Sequence, residues 1–249
     1  MKDEEFRRFA YEAGCDIGSK EIEDFKKFYF LLAEKNKYMN LTAITEYDDV
    51  LIKHFADSLL VHKAIGSSQV KTGLNVADLR GAKLIDIGTG AGFPGIPLKI
   101  CNPDMTVHLL DSLNKRIGFI NEVIKELNLE KILAFHGRSE DYGKDSQYRE
   151  QYDLAVSRAV ADLSVLSEYC MPFVRKGGMF ISYKGENSEA EIKSAEKSIE
   201  VLGGEIADIQ KIHLPGTDAE RVFVLIKKIR NTPGKYPRKA GTPAKEPIK

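Results

Sequence analysis

The stretch Lys83–Gly95, K-L-I-D-I-G-T-G-A-G-F-P-G, constrains the fold of this chain more than any other. Its first half is a short apolar run with a carboxylate near its end, which is typical of a parallel strand buried on both faces. Its second half contains four glycines, which let the backbone turn tightly and approach a ligand where a Cβ atom would collide. Pro94 and the apolar residues after it then begin a helix, because proline is tolerated in a first turn. This order of strand, glycine loop and helix predicts a nucleotide site at the carboxyl end of the strand.

The residue that precedes the glycines indicates which nucleotide binds. Gly90, Gly92 and Gly95 match the G-x-G-x-x-G spacing of dinucleotide-binding loops, but this spacing alone is a weak signal. Asp86 lies two positions before Gly88, where a carboxylate would repel a pyrophosphate. It would attract a ligand that carries positive charge, such as S-adenosylmethionine (AdoMet), which has a sulfonium and an ammonium group. The D-x-G-x-G-x-G pattern at a strand end is the loop of class I AdoMet-dependent methyltransferases. We therefore predict a cofactor site that includes Asp86, Gly88, Gly90 and Gly92.

A second carboxylate supports this interpretation. Asp111 lies 23 positions after Gly88, at the end of the next apolar run. An acidic residue about 20 positions beyond the glycine loop is where such folds bind a ribose diol. We therefore expect Asp111 to belong to the same cofactor site.

The composition is that of a soluble globular protein. The chain has 249 residues, of which 43% are hydrophobic and 30% charged, enough for one domain of ordinary size and an appendage. Cys15, Cys101 and Cys170 are far apart without C-x-x-C spacing, so neither disulfides nor a zinc site is expected, and a reducing compartment is favoured. The sequence has no apolar leader and no run of 18 apolar residues. We predict a cytoplasmic protein with no membrane contact, no metal and no obligate protein partner.

The pattern of apolar residues divides the chain into three parts. Residues 1–80 have helical periodicity and are predicted to form an N-terminal helical extension. In residues 81–229 strands and helices alternate, which predicts a Rossmann-like domain with a doubly wound parallel sheet. After the first strand, strands are predicted at 106–111, 132–135, 152–156 and 179–183, with a late edge or hairpin strand at 221–229. Residues 73–81 are expected to be a loose connection, residues 137–150 a polar loop, and residues 230–249 a basic C-terminal tail.

Ligands bind outside the carboxyl ends of the strands in such a sheet, and this rule indicates further site residues. The loop after the third predicted strand contains Ser139 and Glu140, whose side chains are able to hydrogen-bond the adenine end of a nucleotide. Arg158 follows the fourth predicted strand, and Lys184 follows the fifth. We expect these side chains to face one cleft together with the glycine loop.

His54, Asp57 and Ser58 lie at i, i+3 and i+4, so they share one face of a predicted helix. Their residue types suggest a Ser-His-Asp triad. Such a serine needs a strained, exposed turn and an oxyanion hole, however, and a plain helix offers neither. We expect instead a polar surface that faces the next domain or the substrate.

The net charge of the chain is zero, but it is unevenly distributed. From Lys227 to Lys249 there are eight Lys or Arg residues and one acid, a net charge of +7. Such an asymmetry points to a polyanionic partner for the tail, the alternative being a disordered, solubilising segment. Lysine and arginine neutralise phosphates, and a tyrosine offers a face on which an unpaired base stacks. The predicted RNA-binding residues are Arg230, Lys235, Tyr236, Arg238, Lys239 and Lys245.

Several motifs together resemble one family. They are N-L-T-A-I at 40–44, H-F-A-D-S-L at 54–59, D-I-G-T-G-A-G-F-P-G-I-P-L at 86–98, S-R-A at 157–159 and Y-P-R-K-A-G-T-P-A-K at 236–245. The chain resembles the ribosomal RNA small-subunit methyltransferase G family, also called glucose-inhibited division protein B. The resemblance implies AdoMet-dependent methylation of N7 of one guanosine, 527, in 16S rRNA, with the small ribosomal subunit or its RNA as partner.

The resemblance also implies a fold and a set of cofactor contacts. The fold is α/β, that of class I AdoMet-dependent methyltransferases, with a Rossmann-like, mostly parallel seven-stranded sheet and an N-terminal helical extension. The family's AdoMet contacts carry over to residues that match its motifs here, namely Gly88, Phe93, Ser139, Glu140 and Arg158.

Residues that the sequence lacks agree with an N7 target. Methylation of an exocyclic amine commonly uses an N/D-P-P-Y motif after the fourth strand, where this chain has S-R-A-V at 157–160. Methylation of pyrimidine C5 needs a cysteine beside the cleft, and Cys101 and Cys170 lie in predicted helices away from the strand ends. Guanine N7 has an exposed lone pair and no proton to remove, so no general base is required. Arg158, the predicted catalytic residue, is expected to organise AdoMet and the incoming base without transferring a proton.

Two other functions remain open at this point. The first is a non-catalytic, AdoMet-binding factor for RNA binding or ribosome assembly, which a methyl-transfer assay would separate from an enzyme. The second is a dehydrogenase that uses the G-x-G-x-x-G match. Asp86 and the lack of an acid–base histidine at a strand end argue against the dehydrogenase, and equilibrium binding of AdoMet against NAD would distinguish the two.

Overall fold

A single seven-stranded sheet forms the centre of the protein. The structure is a computed structural model that describes residues 3–68, 79–158 and 160–249. The strands are β1 (Lys83–Ile87), β2 (Thr106–Asp111), β3 (Ile132–His136), β4 (Tyr152–Arg158), β5 (Val174–Gly185), β6 (Gly204–His213) and β7 (Glu220–Lys228). Their order in the sheet is β3-β2-β1-β4-β5-β7-β6. Strands β1 to β5 are parallel, whereas β7 is antiparallel to both of its neighbours. This is the predicted mostly parallel, Rossmann-like sheet.

Helices cover both faces of the sheet. They are α1 (Asp3–Glu12), α2 (Ser19–Met39), α3 (Tyr47–Val50), α4 (Asp57–Ser67), α5 (Gly95–Cys101), α6 (Asn114–Glu126), α7 (Ser139–Tyr142), α8 (Leu163–Cys170), α9 (Glu189–Val201) and α10 (Thr242–Lys245). A π-helical segment, Leu51–Ala56, joins α3 to α4 without a break. Such π-helical turns are rare and occur frequently at functional sites. Within the described ranges, no helix is both long enough and apolar enough to cross a membrane.

Two apolar clusters hold these layers together, one on each face of the sheet. The first cluster packs α1, α2, the helix from Tyr47 to Ser67, α5 and α6 against one face, so the N-terminal helices share their core with the sheet. At its centre Phe28 stacks between Phe55 and Phe93, with ring centroids 5.3 Å from each. The second cluster packs α8, α9 and Tyr236 against the other face. Phe93 follows the glycine loop directly, so the first cluster fixes one side of that loop.

The sheet differs from the sequence-based expectation at its far edge. The predicted edge or hairpin strand 221–229 is β7, which forms an antiparallel hairpin with β6. It is not an edge strand, because it also pairs with β5. The edge strand β6 was not predicted, because its residues are mostly polar and half-exposed. Charged residues on an edge strand discourage pairing with other chains. The predicted polar loop 137–150 contains the short helix α7, and the predicted connection 73–81 lies largely outside the described residues.

Candidate active site

The glycine loop follows β1 at the carboxyl edge of the sheet, and hydrogen bonds to Asp86 anchor it. Asp86 is fully buried, and its Oδ2 accepts hydrogen bonds from Oγ1 of Thr89 at 2.7 Å and from the backbone N–H of Gly95 at 2.9 Å. Its Oδ1 is buried and accepts no hydrogen bond from any described residue. Burial raises the pKa of Asp86 to about 7, despite the two donors, which favour the charged form. Asp86 therefore fixes the start of α5, while its second oxygen is buried without a hydrogen-bond donor from the described residues.

A cavity of about 90 Å³ opens beside the loop, and we call it the first cavity. It is lined by residues from the ends of β1, β2 and β3 and from α7 and α8, which include Gly88, Asp111, Gly137, Ser139, Glu140 and Tyr169. Gly88 has φ +72°, and a Cβ atom there would come within 2.6 Å of Cγ2 of Val160. Glycine is therefore required where the backbone meets this cavity.

Two acids of the first cavity are held in place by hydrogen bonds. Oδ2 of Asp111 accepts from the backbone N–H of Gly90 at 2.9 Å and from Arg116 at 3.3 Å. Glu140 is buried, and its Oε1 accepts from the backbone N–H of Gly241 at 2.9 Å, in the C-terminal segment. Carboxylates can accept further hydrogen bonds from hydroxyl or amine groups of a ligand. The cavity is therefore rich in acceptors.

A larger cavity of about 350 Å³, the second cavity, lies at the ends of β4 and β5. Its cationic lining consists of Lys53, Arg158, Lys184 and Arg221, and the buried carboxylate of Asp57 lies between the two arginines. Oδ2 of Asp57 accepts from Nη1 of Arg158 at 2.8 Å, and Oδ1 accepts from Nε of Arg221 at 2.6 Å. Asp57 is thus the residue that brings the two guanidinium groups to the same place.

His54 completes the support of Arg158. Nη2 of Arg158 donates to Nδ1 of His54 at 3.2 Å, so Nε2 of His54 carries the proton and donates to Oγ1 of Thr42 at 2.7 Å. The imidazole stacks on Phe93, with ring centroids 4.6 Å apart. Burial and the charge of Arg158 lower the pKa of His54 to about 3, so the ring is neutral at physiological pH. Both ring nitrogens are already engaged.

The structure separates the sequence-predicted cofactor residues into three groups. Gly88, Asp111, Ser139 and Glu140 line the first cavity together. Asp86, Gly90, Gly92 and Phe93 lie in or under the loop beside it without lining it, and Gly92 turns the chain at φ +95°. Arg158 lines the second cavity, and its guanidinium carbon lies 5.1 Å from the ring centre of Phe93. Its contact with AdoMet stays a prediction.

The polar face of His54, Asp57 and Ser58 does face the sheet, as expected for a surface that meets the next part of the chain. The sequence reasoning missed Arg221 as a site residue, because it lies 164 positions from Asp57 and begins an ordinary strand. The one local indication was the position of Arg221 near the start of a strand that runs antiparallel to β5. The start of such a strand lies at the same edge of the sheet as the end of β5.

The C-terminal tail folds back over α8 instead of extending away. Arg238 donates to both carboxylate oxygens of the buried Glu168, with Nη2 at 2.6 Å from Oε2. Arg149 donates to the backbone carbonyls of Thr232 and Tyr236. Tyr236 is only 9% exposed and belongs to the second apolar cluster. In this arrangement the ring packs against the body of the protein, and the stacking of a base on Tyr236 stays a prediction.

Of the other predicted RNA-binding residues, four remain accessible. Lys235, Lys239 and Lys245 are exposed, and so is Arg230, whose Nη2 donates to the carbonyl of Glu200. Arg238 is committed to Glu168. Within the described ranges, His, Cys, Asp and Glu side chains form no group of three or more that could hold a metal ion.

Solved structures share this fold at low identity. Tyw2 of M. jannaschii in complex with AdoMet aligns with a TM-score of 0.50 and 14% identity over 70% of this chain and 77% of that one. A mutant 16S rRNA (adenine(1408)-N(1))-methyltransferase from Catenulisporales acidiphilia, with cosubstrate SAM, aligns with the same score and identity over 62% and 88%. The [4+2]-cyclase SpnF aligns with a TM-score of 0.51 and 11% identity over 70% and 82%. The fold is therefore that of class I AdoMet-dependent methyltransferases, and SpnF illustrates that fold alone does not define the reaction.

Sequence comparison places the chain within one family of that class. The model of the rRNA small subunit methyltransferase G family matches residues 21–221. A ribosomal RNA small subunit methyltransferase G from Desulforamulus reducens is 50% identical over 242 residues, which are 97% of this chain and 96% of that protein. Another, from Alkaliphilus oremlandii, is 51% identical over 234 residues, 94% and 93% of the two chains. The chain belongs to the rRNA small subunit methyltransferase G family, as its motifs predicted.

Proposed function

We propose that this protein transfers the methyl group of AdoMet to N7 of guanine 527 in the 16S rRNA of the small ribosomal subunit. Family membership supports the class of substrate, and two features of the site support the cofactor. Asp111 and Glu140 of the first cavity are acceptors of the kind that a ribose diol and an adenine amine need, and its volume of about 90 Å³ takes part of the cofactor. Asp86 lies buried under the glycine loop, and in its ionised form its charge favours a cationic ligand above the loop.

The observation that carries the N7 target is the absence of a free base among the described residues of the second cavity. Both oxygens of Asp57 accept from arginines, and both nitrogens of His54 are hydrogen-bonded. The hydroxyl of Tyr183 donates to the carbonyl of Ser58 at 2.8 Å, and burial raises its pKa well above the ordinary value. The acid of this cavity is ion-paired with two arginines and the pKa of its histidine is about 3, so neither is poised as a general base. Such a cavity suits a nucleophile that has no proton to lose, and guanine N7 is one.

Catalysis in such a site is a matter of positioning. AdoMet, when bound, supplies a methyl group made electrophilic by its sulfonium. The protein's part is to hold N7 in line with that methyl group and to exclude water, and alignment of this kind supplies roughly 7 to 11 kcal/mol. Arg158 is fixed by Asp57, His54 and the face of Phe93, so it is a rigidly held part of the lining of the second cavity. Its role is to organise the site without proton transfer.

The direct test uses small subunits that lack the modification. Incubation with labelled AdoMet, digestion of the rRNA and mass spectrometry identify the methylated nucleoside and atom. Label on N7 of guanosine 527 is expected. Label on any other atom contradicts the target, and AdoMet binding without transfer favours the non-catalytic assembly factor.

AdoMet affinity is expected to rise as the pH is raised from 6.0 to 7.5. The pKa of Asp86 is about 7 because of burial, so the carboxyl is mostly neutral at pH 6 and increasingly ionised above 7. A cationic ligand favours the ionised form, and each unit by which it lowers that pKa corresponds to about tenfold in affinity at high pH. Titration calorimetry of the wild type and of the isosteric variant Asp86→Asn measures the effect. We expect the affinity of the variant for AdoMet to lose most of its dependence on pH. If the affinities of both proteins depend on pH in the same way, the ionisation of Asp86 does not influence AdoMet binding.

Binding of the small subunit is expected to weaken with salt partly through the tail. If about four tail cations contact phosphates, log affinity falls with log salt at a slope of about −3. Replacing the exposed Lys235, Lys239 and Lys245 by glutamine should make the slope less negative by about 2, since each phosphate contact contributes about 0.7 to 0.9. The measurement is fluorescence anisotropy of labelled protein against unmodified subunits at several KCl concentrations.

The matched control for the tail removes three other exposed lysines, Lys193, Lys197 and Lys211, on α9 and β6. This variant should keep the wild-type slope. An unchanged slope in the tail variant, or an equal change in both variants, would show that the tail is not the principal phosphate-binding surface.

A further inference from the structure

Arg221, in the lining of the second cavity, uses only part of its hydrogen-bonding capacity. Nε of Arg221 donates to Asp57 at 2.6 Å, and its Nη1 makes a long contact of 3.4 Å with the carbonyl of Glu220. Its Nη2 donates to no described residue, although the side chain is only 27% exposed. Arg158, by contrast, directs Nη1 to Asp57 and Nη2 to His54. Of the two arginines, Arg221 is therefore the one with a terminal NH2 group that no described residue accepts from.

The other cations of the cavity are paired with acids of their own. Nζ of Lys53 lies 2.8 Å from Oδ1 of Asp49, and Nζ of Lys184 lies 2.5 Å from Oε1 of Glu191. Lys184 also donates to the carbonyl of Ala161 at 2.8 Å. These ion pairs reduce the attraction of the cavity for a phosphate. Among the described residues, none accepts a hydrogen bond from Nη2 of Arg221. A neutral ligand with a carbonyl oxygen would supply that acceptor.

The walls of the cavity suit a flat aromatic ligand. Tyr183 is buried and packs edge-on against Phe223, with ring centroids 4.7 Å apart, and its hydroxyl is turned away to Ser58. The cavity combines the ring of Tyr183 with side-chain donors that are fixed in place, and such a combination is typical of small-ligand sites. A volume of about 350 Å³ has room for a purine and part of its ribose. RNA bases reach such pockets after leaving the base stack.

We infer that the second cavity receives the target guanine base, flipped out of the rRNA, and that Nη2 of Arg221 donates a hydrogen bond to its O6. This inference rests on the proposed function and identifies the pocket and the specificity residue. In its common pairing with guanine an arginine donates to both O6 and N7, which would occupy the lone pair that must react. Because Asp57 already holds Nε of Arg221, the free end binds O6 and leaves N7 available. Adenine, which has an amine in place of O6, offers no acceptor there.

The test combines a change in the protein with a change in the base. Single-turnover methylation is measured for the wild type and Arg221→Gln, on small subunits reconstituted with guanine or 2-aminopurine at the target position. 2-Aminopurine keeps N7 and lacks O6. With guanine, Arg221→Gln is expected to lower the rate roughly 10- to 50-fold, as for loss of a specific base contact. With 2-aminopurine the same substitution should lower it less than threefold, because the contact is already missing.

The control variant is Arg175→Gln, which breaks an arginine–aspartate pair of the same kind, Nε to Oδ1 of Asp153 at 2.6 Å, outside both cavities. It should keep the wild-type rates on both bases. AdoMet affinity within twofold of the wild type shows that Arg221→Gln is folded. If that variant is unstable, Arg221→Lys keeps the positive charge against Asp57 and should show the same loss of discrimination by O6.

The outcomes separate this inference from the function on which it rests. Equal losses on guanine and 2-aminopurine would mean that Arg221 does not bind O6. A rise in KM on both bases, with a smaller salt dependence, would mean that the cavity binds a backbone phosphate, which also overturns the inference. Failure of the wild type to methylate N7 of the natural guanine contradicts the proposed function itself.

Discussion

Replacing Gly95 by alanine should lower the free energy of unfolding by at least about 2 kcal/mol and greatly weaken AdoMet binding. A Cβ atom at this position would overlap Cδ2 of Leu109 in β2 and come within 3.0 Å of Oδ2 of Asp86. Overpacking of a tight interior typically costs about 1–3 kcal/mol. The shift needed to relieve it also disturbs the hydrogen bond from the backbone N–H of Gly95 to Asp86. Since that bond holds the glycine loop, stability and cofactor binding should fall together.

Urea denaturation and titration calorimetry with AdoMet measure the two effects of Gly95→Ala. The matched control is Gly118→Ala on the exposed side of α6, where an added Cβ meets no atom within 4 Å. Alanine is favoured over glycine inside a helix by roughly 0.5–1 kcal/mol, so this control should be more stable than the wild type. Normal AdoMet affinity in a folded Gly95→Ala protein would show that the anchoring of the loop by Asp86 is unimportant for binding.

Arg158→Ala is expected to lower the turnover of methyl transfer roughly 100-fold, with a smaller effect on AdoMet affinity. Arg158 lines the second cavity and not the first, and it connects Asp57, His54 and Phe93 in one rigid arrangement. A displacement of about 1 Å of a positioning group can reduce a rate by about 100-fold. Asp57 keeps its ion pair with Arg221 in this variant, so the fold should persist.

Single-turnover kinetics at saturating AdoMet and calorimetry separate the two effects of Arg158→Ala. Addition of guanidinium ion should restore part of the turnover, because the empty space beside Asp57 and His54 matches the lost group. Arg175→Ala, which removes an arginine paired with Asp153 outside both cavities, serves as the control and should leave turnover unchanged. If Arg158→Ala changes neither turnover nor affinity, Arg158 does not organise the site.

The parts of this protein that the sequence predicted are those in which neighbours in the chain are neighbours in space. The strand, glycine loop and helix of Lys83–Gly95 occur as expected, as β1 followed by α5. The alternation of strands and helices predicted the parallel sheet. The rule that ligands bind at the carboxyl ends of strands predicted a shared site for four residues that do line one cavity, namely Gly88, Asp111, Ser139 and Glu140. Each of these inferences depends on residue type and spacing within a short segment. The chemistry of glycine, proline and buried apolar residues is sufficient for them.

The rest was decided by contacts between residues far apart in the chain. Asp86 carries the charge that the sequence indicated, yet its carboxylate is turned inward to Gly95, because the loop folds over it. Asp57 meets Arg221 across 164 positions, and Arg238 meets the buried Glu168 across 70, so the tail lies against the body and Tyr236 is buried. Such an ion pair leaves no local sequence pattern, because a sequence does not show which acid will meet which base when the two are far apart in the chain. The sequence by itself determined the glycine loop and the class of fold, whereas the tertiary structure alone determined which charged groups meet in the second cavity, because only folding brings them together.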